Sequence, residues 1–113
     1  MEIKSINDIK IAADEMHDSE FSAEDFSFHS KEKIFHIKSR SPDNPLKEFY
    51  LLFNNVEQYN PINLEKVNKG ESTAGVFNNI KIQDSGLTLE ISSQDLRIVL
   101  KLNKLDGKFE KRG

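Results

Sequence analysis

Four polar residues in succession, His17-Asp18-Ser19-Glu20, are the first place to look for chemistry in this chain. A histidine can act as a base, an aspartate can orient it and a serine can attack, so the parts of a nucleophilic triad are present. Their spacing argues against that use. Triad members converge from separate elements, and a hydrolase serine sits on a sharp strand-to-helix elbow flanked by glycines, which this segment lacks. Asp18 and Ser19 fit a second role better: accepting backbone N–H bonds at the corner between two elements.

His29 and His36 offer a different chemistry. With Lys31-Glu32 at the tip of a hairpin, Phe28 falls opposite Phe35 and Phe26 opposite Ile37. The two histidines then become diagonal neighbours on one face. Imidazoles so placed can approach one metal ion, with His17, Glu20 or Asp25 as a third ligand. No HxH or HExxH spacing and no cysteine supports such a centre. The expectation is therefore surface histidines, no metal and no cofactor. Glu15, Asp18, Glu20, Glu24 and Asp25 make an acidic stretch. Paired carboxylates do acid–base work only when their surroundings separate their pKa values, so the stretch reads as a solvated face. Asp18, Glu20, Glu24 and Asp25 are its candidate contacts for a basic partner. The five glycines fit neither a P-loop nor a dinucleotide fingerprint. Phe49, Tyr50 and Phe53 have the composition of a base-stacking platform, but Lys47 is the one basic residue close by, so they read as core. Tyr59, beside Asn60-Pro61, is expected at a surface or cavity mouth and joins the candidate contacts.

The elements that must position these residues are legible in part. Ser5 and Asp8 stand at capping-box spacing, and Ile6, Ile9, Ala13 and Met16 follow at helical steps, predicting a helix over about 5–17. Strands are expected over about 20–54: Phe21 to His29, irregular near Ala23-Glu24-Asp25, then Ile34 to Arg40, then the doubly apolar Glu48 to Phe53. Ser41-Pro42-Asp43-Asn44-Pro45 is a turn signal. Residues 55–75 are the variable segment, where Ile62/Leu64 suggest a strand and Leu64/Val67 a helical turn. A meander follows over 76–103. Turns centred on Ser85-Gly86 and Gln94-Asp95 set Ile82 against Leu89, Ile80 against Ile91, Ile91 against Ile98, Leu89 against Leu100 and Leu87 against Leu102. All of these fall on one face, while Lys81 faces Glu90 on the other. Residues 104–113 read as a turn at Asp106-Gly107 and a frayed charged tail. The fold class is α+β and mostly β: antiparallel meander sheets, in one bent layer or two packed ones, with a short N-terminal helix.

The totals bound the function. A chain of 113 residues is expected to make one domain, 1–113, and 36% hydrophobic with 31% charged residues places it among globular proteins, not disordered ones. A net charge of −3 lacks the basic stripe of a nucleic-acid binder. Absence of cysteine excludes disulfides, thiolate metal sites and a cysteine nucleophile, and suits the reducing cytoplasm. No long apolar run suggests a secretory signal or a membrane span. The reading is a cytoplasmic protein that binds another protein, with no catalytic residues. A metal-dependent hydrolase using His17, Asp18, His29 and His36, or a small-ligand carrier, is the alternative.

The order of features resembles a known grouping. A short helix leads into His17-Asp18-Ser19-Glu20, a hairpin follows, and a hydrophobic strand ends in Phe53-Asn54-Asn55-Val56 before a closing meander. In this the chain resembles small uncharacterised bacterial proteins with an N-terminal His-Asp-Ser signature, some of them grouped with immunity proteins of polymorphic toxin systems. The resemblance implies a non-enzymatic protein that neutralises a toxin by binding it. It also implies that His17, Asp18 and Ser19 have a structural role.

Overall fold

A computed structural model describes residues 1–64, 75–94 and 96–113. Most of the polar run Asn68 to Gly75, Val67 and the turn residue Asp95 lie outside the described residues. Helix α1 spans Ile6–Met16. Ser5 caps it: the Ser5 hydroxyl accepts the Asp8 N–H at 3.3 Å, and the Asp8 carboxylate accepts the N–H groups of Ser5 and Lys4 at 3.1 and 2.9 Å. Two otherwise orphaned donors of the first turn are thereby satisfied. The buried side is Ile9, Ala12 and Met16, whereas Ile6 is exposed and Ala13 half-buried. The helix is thus turned slightly from the stripe its spacing suggests.

The strands are β1 (Glu2–Ile3), β2 (Glu20–Phe21), β3 (Phe26–His29), β4 (Ile34–Arg40), β5 (Glu48–Phe53), β6 (Val56–Ile62), β7 (Gly75–Gln83), β8 (Thr88–Ser93), β9 (Arg97–Leu102) and β10 (Gly107–Arg112). Every ladder is antiparallel, in the order β1-β10-β5-β4-β2-β7-β8-β9-β6, with β3 also on β4. The fold is α+β and mostly β, as the periodicities require. It is one continuous, open sheet, and it is strongly bent: Tyr59 of the terminal strand β6 stacks on Phe28 of β3 at 5.1 Å. The buried apolar residues form one cluster, shared by α1 and the inner faces of the strands.

The expected registers are found. Ile80 pairs with Ile91, Ile82 with Leu89, Leu89 with Leu100, Ile91 with Ile98, and Lys81 with Glu90. Phe28 pairs with Phe35 and Phe26 with Ile37, and the irregularity between β2 and β3 is a 3-10 turn at Ala23–Asp25. The connection is not the two-residue turn expected: the ladder ends at Gln83 opposite Thr88, and Asp84, Ser85 and Gly86 all take positive φ (52°, 57° and 93°) in a four-residue loop closed by the Leu87 N–H on the Asp84 carbonyl. Leu87 departs from expectation. It leaves the ladder in a helical conformation and is 37% exposed, so only its carbonyl, which accepts the Leu102 N–H at 2.7 Å, reaches the neighbouring strand.

The larger correction concerns the C-terminus. Residues 107–112 are not a frayed tail; they form β10, inserted between β1 and β5. The cause is a period-two pattern. Phe109 faces inward against Leu51 and the Phe49 ring, while Lys108, Glu110 and Arg112 face outward. Gly107 is required at the start, because a Cβ there would collide with the Leu52 carbonyl. The variable segment is also partly resolved: Val56–Ile62 is β6, paired with β9, and its Pro61 suits an edge strand, where a missing N–H is harmless.

Candidate functional site

The His17-Asp18-Ser19-Glu20 segment is a corner joining α1 to β7 and β4. The Asp18 N–H donates to the Phe77 carbonyl at 2.9 Å, and the Phe77 N–H returns a bond to the Ser19 carbonyl at 2.7 Å. Asp18 takes φ of 68°, a left-handed conformation that aspartate tolerates better than most residues. The Ser19 hydroxyl is buried, donating to the Met16 carbonyl at 2.5 Å and sharing a 2.7 Å hydrogen bond with the Ser39 hydroxyl on the inner face of β4. Asn78 is the extra residue of a bulge in β7, and its carbonyl accepts the His17 Nδ1 proton at 2.7 Å. His17 Nε2 lies 3.4 Å from the Asp18 carboxylate, and both side chains are exposed. Among the described residues the Ser19 hydroxyl meets the Met16 carbonyl and the Ser39 hydroxyl, and no base. A polar cleft of about 300 Å³ lies alongside, rimmed by Glu15, His17, Asp18, Asp43 and Lys47.

Asp25 is the next sequence candidate, and its role differs from the expected one. Its carboxylate is buried and accepts a two-pronged bond from Arg40, at 3.0 and 3.1 Å, together with the Ser22 N–H at 2.8 Å. Burial alone would push this carboxyl up, but the Arg40 fork and the Ser22 donors outweigh it and hold Asp25 below the usual carboxylate range. Asp25 therefore pins the 3-10 turn to β4 and is not presented to a partner. Glu20 and Glu24 are exposed. Tyr59 is half-buried between Phe28 and Phe35, with burial raising its phenol pKa.

The outer face of β3, β4, β5 and β10 gathers what the sequence scatters. The register sets Ser27 against His36, with His29 diagonal to it. Tyr50 of β5 pairs with Lys38 on one side and with Glu110 on the other. The His36 and Tyr50 rings lie nearly parallel, 5.8 Å apart and inclined by 21°, and the Arg112 guanidinium sits over Tyr50 at 5.1 Å. Such a cation over an aromatic face is favourable. The result is an unbroken row, His29, His36, Tyr50, Arg112, across four strands. At its start the His29 and His36 Nε2 atoms approach to 3.2 Å, with the Ser27 hydroxyl 2.7 Å from His36. Among the described residues His36 Nδ1 is buried without a hydrogen-bond partner. Burial, and then the neighbouring His29, lower the His36 pKa.

The structure thus brings His29 and His36 together, as the hairpin register requires, and does not bring the expected third ligands. His17 is tied to Asn78 and Asp25 to Arg40, and no group of three or more histidines and carboxylates suited to a metal occurs among the described residues. Phe49 and Phe53 are core as expected, but Tyr50, read as core with them, lies half-buried on the outer face. Sequence reasoning missed Ser27 and Arg112, the latter in an apparent tail whose alternation around Phe109 was the available signal. A groove of about 420 Å³ lies between α1 and β10, lined by Met1, Ile11, Glu15, Phe109, Glu110 and Lys111. No helix among the described residues is long and apolar enough to cross a membrane. Comparison with protein-family models, with curated proteins and with solved structures finds no match.

Proposed function

We propose that this protein acts by binding another protein, in the cytoplasm, through the outer face of β3, β4, β5 and β10. The observation that carries the reading is the row His29–His36–Tyr50–Arg112. Tyrosine and arginine are the residues most often found as energetic anchors of protein interfaces, and here each is held by its neighbour before any partner arrives. Within the same face Glu48 and Glu110 are engaged by Lys38, Lys108 and Arg112, so paired charges of both signs flank the aromatic row, as at the polar rim of a protein interface. The more specific version, an immunity-like protein that covers a toxin's active site, rests on the resemblance carried by His17 to Glu20 and Phe53 to Val56. In that version the His-Asp-Ser signature builds the corner and the sheet face does the binding.

The test is affinity capture from a native bacterial lysate with the wild type, a Tyr50→Ala/Arg112→Ala variant and a Lys10→Ala control on the exposed side of α1. A partner held by the wild type and the control but lost from the double variant supports the reading. A partner retained by the double variant moves the binding surface elsewhere. Survival of cells expressing a neighbouring toxin gene, dependent on this protein, separates the immunity version from simple binding.

A further inference from the structure

One end of the outer row has a geometry that partner binding does not require. The Nε2 atoms of His29 and His36 are 3.2 Å apart, and the Ser27 hydroxyl oxygen lies 3.3 Å from the first and 2.7 Å from the second. The ring centroids are 5.3 Å apart and their planes differ by 16°. Since the nitrogens are much closer together than the centroids, the rings meet by their nitrogen edges, not face to face. Both Nε2 atoms thus border the gap between the rings. Three donor atoms therefore form a small triangle on the solvent side of the β3–β4 hairpin.

Metal geometry gives that triangle a meaning. Two imidazole nitrogens held about 2.0–2.1 Å from a tetrahedral ion lie about 3.3–3.4 Å apart, close to the separation found between His29 and His36. An ion at that same distance from all three atoms would cap the triangle about 1 Å above its plane, with its remaining position facing solvent. The backbone already supplies the preorganisation. His29 and His36 sit on paired strands whose register is locked by Phe28 opposite Phe35 on the buried side. We propose that Ser27, His29 and His36 form a binding site for one divalent transition-metal ion of the zinc, nickel or copper class, with the two imidazoles as ligands and the serine hydroxyl as a third donor.

The choice of metal follows from the donors. Imidazole suits zinc, nickel and copper, whereas magnesium and calcium require carboxylates and carbonyls. No carboxylate joins the cluster among the described residues, so the harder ions have nothing to hold them. Two neutral nitrogens and a hydroxyl make a weaker site than the closed four-ligand centres of structural zinc. The third histidine, His17, is engaged with Asn78 and takes no part. The site shares His29 and His36 with the row proposed to meet a partner, but its three donor atoms include neither Tyr50 nor Arg112.

The full-length protein, stripped with a chelator, would be titrated with Zn²⁺ by calorimetry near neutral pH, and with Co²⁺ by visible absorption. The expected result is saturable binding of one ion per chain, with the intense visible bands of four-coordinate Co²⁺. His29→Gln and His36→Gln should each weaken Zn²⁺ binding about tenfold or more, Ser27→Ala should weaken it less, and His17→Gln should leave it unchanged. His36 is half-buried, so circular dichroism would first establish that its variant folds; His29 is exposed, and its variant carries the test alone if the other does not fold. Absence of saturable binding, or binding that His29→Gln leaves intact, overturns the proposal. Tyr50→Ala/Arg112→Ala should retain the metal while losing the partner, so the two readings fail separately.

Discussion

Two groups of histidines in this molecule meet opposite fates. His17 lies beside Asp18 and Ser19 in the chain, a set that has the look of catalysis. Its Nδ1 proton is nevertheless taken by the Asn78 carbonyl, Ser19 is buried against Met16 and Ser39, and the set holds α1 to the sheet. His29 and His36, separated in sequence by six residues of hairpin, place their nitrogens 3.2 Å apart on an open face. Adjacency along a chain gives side chains that diverge. Adjacency across a ladder gives side chains that converge, because cross-strand and diagonal neighbours on one face are within reach. The corner is architecture, and the open face is where ligands can be met.

The sharpest way to break this contrast is to remove the strand on which the open face depends. Phe109 is 4% exposed and fixes β10 beside β5 by packing its ring on Phe49 and its backbone on Leu51. Phe109→Ala should cost about 3–5 kcal/mol, the usual loss for a buried phenylalanine, as measured by urea denaturation. A loss below about 1 kcal/mol would mean that β10 is peripheral, and that Arg112 is not held over Tyr50 by the fold. The corner should break less severely. Ser19→Val leaves the Ser39 hydroxyl buried without its partner and is expected to cost about 1–3 kcal/mol, the penalty for an orphaned buried polar group. Were Ser19 a nucleophile instead, the substitution would abolish an activity and leave stability nearly untouched.

How much of this was legible depended on the distance over which pairing acts. The meander β7–β9 could be read residue by residue, because Ser85-Gly86 and Gln94-Asp95 fix each register locally and a slip would expose Ile80, Leu89, Ile91 and Ile98 together. The Phe28/Phe35 hairpin was readable for the same reason, and with it the meeting of His29 and His36. β10 was not readable. Its partner β5 lies more than fifty residues earlier in the chain, and its sequence Gly-Lys-Phe-Glu-Lys-Arg contains one large apolar residue among charges. Local pattern could not show that Gly107 clears the Leu52 carbonyl or that Phe109 completes the core. Arg112, and through it half of the outer row, was lost with that strand. The Asp25–Arg40 pair escaped notice for a related reason: nothing in the acidic stretch distinguishes the one carboxylate that the 3-10 turn buries.

That carboxylate gives the next prediction. Asp25→Asn keeps the shape but gives up the charge-assisted fork, and about 1–2 kcal/mol should be lost, since Arg40 remains partly exposed and screened by water. The pH dependence carries the sign. The folded-state pKa of Asp25 lies below its unfolded value, so the pair contributes fully above the ordinary carboxylate pKa and is lost as pH falls through the depressed one. Wild type and variant should therefore differ by a constant amount at neutral pH and converge in acid, when followed by thermal melts across the range. A difference that grows in acid would assign the opposite shift and undo the account of the turn.

The smallest effects separate the two histidine groups most directly. His17→Gln removes the proton that Asn78 accepts at the β7 bulge, and the exposed position limits the loss to about 0.5–1 kcal/mol. His29→Gln removes an exposed ring that supports no backbone group, and its stability should stay within about 0.5 kcal/mol of wild type. The two substitutions are chemically identical, so any difference between them belongs to the sites. A stability loss confined to position 17, with metal titration altered only at position 29, is the pattern expected if one histidine is mortar and the other a ligand. A substantial stability loss at position 29 would show that the His29–His36 contact holds the hairpin together, and the division between architecture and open face would have to be redrawn.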